Sequence, residues 1–332
     1  ILDLANGKPK KQIKGLIFRQ GKKVISNPER PFLTAHQLDQ FPFVTQIYKK
    51  HLPIAKYFQA SLLHPFVDLF TARGCAWNQC TFCLWPYTIH KGASYRQRQL
   101  ASVIAELKFI KKELPDVQEV FFQDDTLPPL RAKQISEAIL KASLRLNWSC
   151  YNRGNLDYST LALMKKAGCR YLHVGYESAD QTILKNIRKG TTPAQMAKFT
   201  ANANKLGLKI HGDFIFGLPG ETEATIKKTI RWAKKLDIEG YQFFIPQPHQ
   251  STPFYHQLKK KGYLTKNGQV SYPHLDTKTL SFWRFKAMRE IYFRPSYILR
   301  VFKGINSWQE LLRLVRTAYF VLPNLIFPKK SP

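Results

Sequence analysis

The sequence predicts an α/β fold in which six strands alternate with helices and curl into a partial, open-sided barrel. Between about residues 65 and 246, short apolar runs alternate with segments whose apolar residues recur at helical spacing. This alternation gives a parallel sheet with helices outside it, and right-handed crossovers curl that sheet toward a barrel. Six units are fewer than the eight of a closed barrel. We therefore expect a partial (β/α)6 TIM-like barrel with functional loops at the carboxyl ends of its strands.

The individual elements follow from the same patterns. The predicted strands cover residues 66–71, 117–122, 146–151, 171–176, 208–216 and 240–246. The predicted helices between them cover about residues 97–113, 131–144, 158–167, 193–206 and 223–236. Thr192 and Thr222 mark two of the helix starts, because threonine is a favoured N-cap, and Pro193 suits a first helical position. After residue 265 the alternation stops, and residues 282–293 and 308–320 are predicted as helices of a small C-terminal cap.

The N-terminal segment, residues 1–50, is predicted to be an incomplete structural unit. Two short strands surround the polar turn at Gly21, and an extended linker is predicted through Pro28, Pro31 and Pro42. A segment this short cannot bury its own core. The chain starts without Met and without a signal peptide, so we expect that its true start is missing. The predicted organisation is an N-terminal remnant over 1–50, a core over 60–265 and a helical extension over 266–332.

Composition excludes some classes of protein. No run of eighteen apolar residues is present, so no transmembrane helix is expected. The net charge of +30 could attract RNA or anionic lipid. The lysines are scattered in short clusters, however, which favours a solvated surface over a single nucleic-acid interface. Nucleic-acid binding is therefore disfavoured but stays open.

Three of the five cysteines lie within nine residues, directly after the first predicted strand: Cys75, Cys80 and Cys83. An odd, clustered set does not fit a disulfide scaffold; it indicates a reducing, cytoplasmic compartment and a metal or cluster site. Three thiolates can hold three irons of a cubane cluster and leave the fourth iron open. A zinc site with His90 as the fourth ligand is one alternative, although zinc sites usually come as paired knuckles and only one is present. Redox-active thiols and buried core cysteines are the others.

The segment from Arg73 to Cys83 resembles the signature loop of radical S-adenosylmethionine (SAM) enzymes, Cys-x3-Cys-x2-Cys. An aromatic residue usually precedes the last cysteine, as Phe82 does here. This sequence departs from the pattern because four residues separate Cys75 from Cys80. The resemblance covers about residues 65–265. It implies a 4Fe-4S cluster on the three cysteines and SAM bound at the open iron.

The resemblance also implies which residues contact SAM. They are Phe82, Asp124, Asp125, Arg153, Glu177, Ser178, Gly217 and Gly220. Asp124 and Asp125 end the second strand, where the family binds the methionyl ammonium, and a carboxylate can pair with an ammonium. A strand-end turn or helix cap is the structural alternative for this pair.

The remaining contacts lie at the ends of the later strands. In the family, a Glu-Ser pair in the place of Glu177 and Ser178 contacts the SAM ribose or methionyl group. Gly217 and Gly220 permit close backbone approach, which an adenine ring can use. Arg153 could meet the SAM carboxylate, or it could form a surface ion pair.

One subgroup is especially similar. The stretch 80–86, the pair Tyr95-Arg96 and the tail 292–300 resemble the cobalamin-binding radical SAM proteins near the anaerobic magnesium-protoporphyrin monomethyl ester cyclase and the hopanoid-biosynthesis enzymes. The front segment resembles the end of a cobalamin-binding domain whose main body lies upstream. Cobalamin would then reach the site through that missing domain.

The activity that the resemblance implies is reductive cleavage of SAM to a 5′-deoxyadenosyl radical, which abstracts hydrogen from a small or lipid-like substrate. Flavodoxin or ferredoxin is the expected electron donor. Whether the reaction is methyl transfer, cyclisation or rearrangement is left open. The apolar run 318–327, with basic residues around it, could touch the inner face of the membrane. The alternatives are a tRNA-modifying radical SAM methylthiotransferase and a zinc-bearing nucleic-acid-binding protein.

Overall fold

A computed structural model of the chain describes residues 1–92 and 95–303, together with residues 308, 311, 312, 314, 315 and 318. The N-terminal elements are α1 (Leu2–Ala5), β1 (Ile17–Gln20), β2 (Lys23–Ser26), α2 (Ala35–Asp39) and α3 (Val44–His51). β1 and β2 pair as an antiparallel hairpin around the predicted turn. The prediction of an extended linker through Pro42 is wrong at α2, and α3, which follows that linker, was not predicted. Thr34 caps α2 in a reciprocal capping box with Gln37.

The core elements follow in chain order. The first of them are β3 (Phe66–Leu69), β4 (Ala72–Arg73), a π-helical turn (Trp85–Ile89), β5 (Arg96–Gln97), α4 (Leu100–Glu113), β6 (Glu119–Phe122) and α5 (Pro129–Lys141). The next are β7 (Asn147–Asn152), α6 (Tyr158–Lys166), β8 (Cys169–Glu177), α7 (Gln181–Asn186), α8 (Pro193–Lys205), β9 (Lys209–Ile215), α9 (Glu223–Leu236) and β10 (Gly240–Phe244). Every predicted core strand and helix is present, with bounds within a few residues of the prediction.

The six core strands form one parallel sheet in the order β3-β6-β7-β8-β9-β10. Each strand pairs with the next core strand along the chain, and a helix crosses between them. This sequential winding is that of a partial (β/α)6 barrel, and it confirms the predicted fold class. The carboxyl ends of all six strands therefore lie along one edge of the sheet.

The helices between the strands begin where the sequence marks them. Thr192 and Thr222 each accept a hydrogen bond from the backbone three residues later, in capping boxes at the starts of α8 and α9. Asp157 caps α6 in the same way through the amide of Thr160. Short polar caps after strand ends thus fix where α6, α8 and α9 start, whereas α4 and α5 begin without a side-chain cap.

The two faces of the sheet differ in chemistry. The outer face packs against the crossover helices through fully buried side chains such as Trp148, Leu172 and Ile210. The inner face carries polar and aromatic rings: His173 lies 5.2 Å from the ring of His211, measured between ring centroids. His211 Nε2 in turn lies 3.3 Å from an Asp213 carboxylate oxygen. The concave side of the partial barrel is therefore a polar surface.

The C-terminal part covers the edge strand β10. It contains α10 (Pro253–Lys260), α11 (Thr277–Tyr292) and α12 (Pro295–Lys303). The Tyr292 hydroxyl donates to the Tyr241 carbonyl at 2.8 Å and accepts from the Tyr241 amide at 3.0 Å, so it satisfies backbone groups that a bare edge would expose. Most of the predicted helix 308–320 and of the apolar run 318–327 lies outside the described residues. No helix in the described part of the chain is both long and apolar enough to cross a membrane.

Candidate active site

The three clustered cysteines lie on one loop, which follows β3 and β4 and ends at the π-helical turn. Cys75, Cys80 and Cys83 are half-buried and form no disulfide. The loop turns at Gly74 and Asn78, whose φ angles of 95° and 52° are in the left-handed region. The Cys83 amide donates to the Cys80 carbonyl at 3.3 Å, which makes a tight turn between the last two cysteines. π-helical turns are rare and often occur at functional sites.

The chemistry of these thiols can be compared with what an iron–sulfur cluster requires. Among residues 1–92 and 95–303, no three His, Cys, Asp or Glu side chains form a group that could hold one metal ion. A 4Fe-4S cluster makes a different demand, because its cysteines are ligands of a multi-iron cluster. Burial raises the pKa of Cys80, while the Lys189 ammonium lowers it. Burial likewise raises the pKa of Cys83, to about 12. Buried thiols become thiolates when positive charge is supplied to them, as metal binding does, so this donor set fits a cluster.

Arg153 follows β7 and reaches the cysteine loop. Its guanidinium lies 4.4 Å above the ring of Trp77 and donates a hydrogen bond to the Lys189 carbonyl. Burial lowers the pKa of Arg153, although the nearby Cys80 and Cys75 oppose that effect. Its Nε is buried and has no hydrogen-bond partner among the described residues. The side chain thus offers one donor that a bound anionic group could accept.

Asp124, which follows β6, is turned toward the chain that leads into the cysteine loop. Its carboxylate accepts hydrogen bonds from the amides of Thr71 and Ala72 at 2.6 and 3.1 Å, and from the Thr71 hydroxyl. Burial raises the pKa of Asp124 to about 6, and the bonds from Thr71 oppose that rise. The geometry gives Asp124 a role in anchoring the loop. The predicted contact with the methionyl ammonium stays a prediction.

Asp125 points the other way and pairs with a histidine that follows the π-helical turn. His90 Nε2 lies 2.5 Å from a carboxylate oxygen of Asp125, and both side chains are largely buried. The ring of Trp85 stacks on His90 at a centroid distance of 6.0 Å. His90, the alternative zinc ligand, is thus a partner of Asp125, and the pair lies at the same edge of the sheet as the cysteines.

Glu177 ends β8 and forms a buried ion pair. Its carboxylate lies 2.7 Å from Lys189 Nζ, and its φ of 61° is in the left-handed region. Burial lowers the pKa of Lys189, but the charges of Glu177 and Cys80 outweigh this and raise it overall. Ser178 is fully buried and turns toward the helix layer, where its hydroxyl accepts from the Asp180 amide at 3.1 Å. The structure therefore brings Glu177 to the cysteine loop and directs Ser178 away from it.

The glycines after β9 form a tight turn. Gly217 and Gly220 have φ values of 99° and 95°, which favour glycine. A side chain at Gly220 would lie 2.9 Å from the side-chain amide nitrogen of Asn186. Phe82 is half-buried and packs against the hydrophobic core. The predicted SAM contacts of these residues stay predictions.

Sequence reasoning missed several residues at this edge. No role was predicted for Trp77, which lies within the cysteine loop, for Lys189, which lies beside it, or for the side chain of Tyr95. The Tyr95 hydroxyl is buried without a hydrogen-bond partner among the described residues; burial raises its pKa, and the charge of Asp124 adds to that rise. A buried lysine cannot be recognised among 52 Lys and Arg residues. Gly190, which follows Lys189, was the one sequence signal of a close contact at this segment.

Comparisons with known proteins show the family to which this chain is similar. Residues 69–233 match the sequence model of the Radical SAM superfamily. An uncharacterized methyltransferase of Pyrococcus horikoshii is 32% identical over 90% of this chain and 65% of its own length. The anaerobic magnesium-protoporphyrin IX monomethyl ester cyclase of Rubrivivax gelatinosus is 28% identical over 53% of this chain and 32% of its own length.

A solved structure has the same fold. The radical SAM methyltransferase TsrM from Kitasatospora setae, with cobalamin and a [4Fe-4S] cluster bound, superposes with a TM-score of 0.61 at 20% identity. The superposition covers 78% of this chain and 51% of that chain. The chain thus spans less than two thirds of the length of each of these proteins. Residues 69–233 form a radical SAM domain, and the chain belongs to the radical SAM superfamily.

Proposed function

We propose that this chain holds a 4Fe-4S cluster through Cys75, Cys80 and Cys83, binds SAM at the iron without a cysteine, and acts on a small-molecule substrate. The observation that carries the proposal is one arrangement at the carboxyl edge of the sheet. Three half-buried thiols share a single loop there, and Lys189 and Arg153 provide positive charge beside it. Superfamily membership identifies the cofactors that suit such thiols.

When bound, the cluster on Cys75, Cys80 and Cys83 would supply the electron for reductive cleavage of SAM, and this radical chemistry would belong to the cofactors. The protein's contribution is positioning and charge. Arg153 offers its free Nε to the SAM carboxylate as a charge-assisted donor. Glu177 and Asp125 are held near the loop by Lys189 and His90. Asp124 keeps the entrance of the loop in place through Thr71 and Ala72.

Methyl transfer is the reaction type that we propose for the whole protein, with cobalamin as a further cofactor. The names of the Pyrococcus relative and of TsrM both support this class, and TsrM binds cobalamin. The cobalamin would be bound by a part of the protein outside the radical SAM core. A flavodoxin or ferredoxin is the electron donor in this proposal.

The concave face of the sheet supports a substrate with polar groups. His173, His211 and Asp213 lie on that face, below the strand ends that carry the cysteine loop. Hydrogen-bonding rings and a carboxylate can orient a small molecule that enters the open side of the barrel. A lipid-like substrate with a polar head stays within this proposal, as does contact with a membrane surface.

The first test is the composition of the protein after anaerobic reconstitution. We expect about four irons and four sulfides per chain, as a 4Fe-4S cluster requires. Replacing Cys75, Cys80 and Cys83 together by alanine should abolish iron and sulfide binding. Cys150→Ala and Cys169→Ala are matched controls, because both thiols are buried away from the loop and should leave the iron content unchanged.

The second test is SAM cleavage by the reduced protein, followed by chromatography of 5′-deoxyadenosine and S-adenosylhomocysteine. Release of 5′-deoxyadenosine supports radical chemistry, and S-adenosylhomocysteine formed with a methyl acceptor supports methyl transfer. Arg153→Met should weaken SAM binding while the iron content is retained. Stoichiometric zinc without sulfide would refute the proposal and favour the zinc-protein alternative.

A further inference from the structure

We propose that residues 187–190, which we call the clasp, position the cysteine loop, and that the buried Lys189 ammonium raises the reduction potential of the cluster bound there. The inference rests on the proposed function, since it concerns the cluster that the function requires. It assigns positioning roles to Trp77, Lys189 and Gly190, none of which is a cluster ligand.

The clasp holds the loop by backbone contacts over a large sequence separation. The Thr81 amide donates to the Ile187 carbonyl at 3.0 Å. The indole nitrogen of Trp77 donates to the Arg188 carbonyl at 2.8 Å, and Cys80 Sγ lies 3.9 Å from the same carbonyl oxygen. These hydrogen bonds hold the loop in place on both sides of its middle cysteine. The position of that cysteine is therefore set by a segment more than 100 residues away.

The local backbone explains why glycine occupies the end of the clasp. Gly190 has a φ of 72°, and the ring of Trp77 lies directly against it. A side chain at this position would place its Cβ 2.1 Å from a ring carbon of Trp77, well inside van der Waals contact. The Trp77 ring also contacts the Arg153 guanidinium. Trp77 is half-buried, and any residue larger than glycine at 190 must displace its ring.

Lys189 adds charge to this arrangement. Its side chain is only 7% exposed and pairs with Glu177 at 2.7 Å. The ion pair as a whole is neutral, so its effect on the cluster depends on which charge is nearer. Lys189 directly follows Arg188, whose carbonyl oxygen lies 3.9 Å from Cys80 Sγ, so the clasp places the lysine beside the middle cysteine. A nearby positive charge stabilises the more negative, reduced form of a cluster, and buried charges are poorly screened.

Four variants separate the two parts of the proposal: Trp77→Phe, Gly190→Ala, Lys189→Met and the double variant Glu177→Gln/Lys189→Met. Trp77→Phe keeps an aromatic ring but removes the indole donor, and Gly190→Ala displaces the ring. Lys189→Met removes the charge, and the double variant removes both charges in case the lone buried carboxylate disturbs the fold. Lys185→Met is the control, because it removes an exposed lysine charge from the neighbouring helix.

The first readout needs no cluster. In the cluster-free protein we measure the alkylation rate of Cys80 by peptide mapping, with the buried Cys150 as an internal standard. Trp77→Phe and Gly190→Ala should each increase that rate several-fold over wild type, whereas Lys185→Met should not. Rates equal to wild type in both loop variants would overturn the clasp, whether or not the protein binds iron.

The second readout is the midpoint potential of the reconstituted cluster, titrated with detection by electron paramagnetic resonance. Lys189→Met should make the reduced form about tenfold less populated at a fixed potential, which is ~59 mV for a one-electron couple. The double variant should lie between Lys189→Met and wild type, and Lys185→Met should match wild type. A Lys189→Met cluster with the wild-type potential would overturn the electrostatic part. A wild-type protein that takes up no iron and sulfide would refute the proposed function, and the electrostatic part with it, while the alkylation result still decides the clasp.

Discussion

Replacing His173 by glutamine should make the protein less sensitive to mild acid. His173 lies in the middle of β8 on the concave face, and its side chain is buried. The rings of Phe121, Tyr151 and His211 surround it at centroid distances of 5.2–5.4 Å. Burial lowers its pKa to about 3, and the charges of His211 and Arg170 add to that effect. The imidazole is therefore neutral in the folded protein at neutral pH.

The magnitude follows from the difference between the two states. An unfolded histidine titrates near 6.5, so between roughly pH 6.5 and 3 the unfolded chain binds a proton that the folded chain does not. A depressed pKa in the folded state means that stability is fully present above 6.5 and is lost as the pH falls. The loss is about 1.4 kcal/mol per pH unit, which gives about 2 kcal/mol between pH 7 and pH 5.

The assay is denaturant unfolding at pH 7, 6 and 5, followed by circular dichroism. His173→Gln does not titrate and retains a polar group near Ser61, the hydrogen-bond partner of His173. Its free energy of unfolding should fall by about 2 kcal/mol less than that of wild type from pH 7 to pH 5. His36→Gln, an exposed position on α2, should follow wild type. Parallel pH profiles for wild type and His173→Gln would refute the reasoning.

Substitutions at three further positions test local features by the free energy of unfolding. Thr222→Ala removes the cap of α9 and should cost about 1 kcal/mol, whereas an unchanged stability would show that the cap is dispensable. Gly168→Ala should cost more than about 2 kcal/mol, because φ is 92° and the new Cβ would lie 2.1 Å from the Leu146 carbonyl oxygen. Asp124→Ala should cost about 2–4 kcal/mol and also lower cluster retention, since it leaves the buried Thr71 amide unpaired. Asp124→Asn should lie in between, and full cluster retention in Asp124→Ala would contradict its anchoring role.

The fold could be predicted because its signals are periodic and local. Apolar runs, threonine caps and glycines after helix ends recur along the βα units, so the errors at element bounds are small. The helices α2 and α3 could not be predicted this way. Both are short, and α3 depends on tertiary contacts: the buried Thr45 hydroxyl donates to Glu106 at 3.0 Å, and Arg98 pairs with the same carboxylate at 2.6 Å. Those partners are distant in sequence, and the prolines near α3 predict an extended chain instead of a helix.

The location of the site could be predicted from the sequence, but the hydrogen-bond and ion-pair partners of its residues could not. Strand-end motifs predict which residues reach the carboxyl edge of the sheet, and all of them follow their strands as expected. The direction of each side chain depends on neighbours far along the chain. Asp124 turns to Thr71, which is 53 residues earlier, while the adjacent Asp125 turns to His90. A motif of two aspartates cannot distinguish these roles, and the same holds for Glu177 and Ser178.

The unusual spacing of the cysteines has its explanation in the clasp. Four residues separate Cys75 from Cys80, and they include Trp77, which donates to Arg188 and packs on Gly190. The left-handed turn at Asn78 then returns the chain to Cys80. A loop with one residue fewer has less chain in which to form both the indole contact and this turn. The additional residue lets Trp77 reach the clasp, and Gly190 leaves room for its ring. The cysteine motif alone explains neither of them.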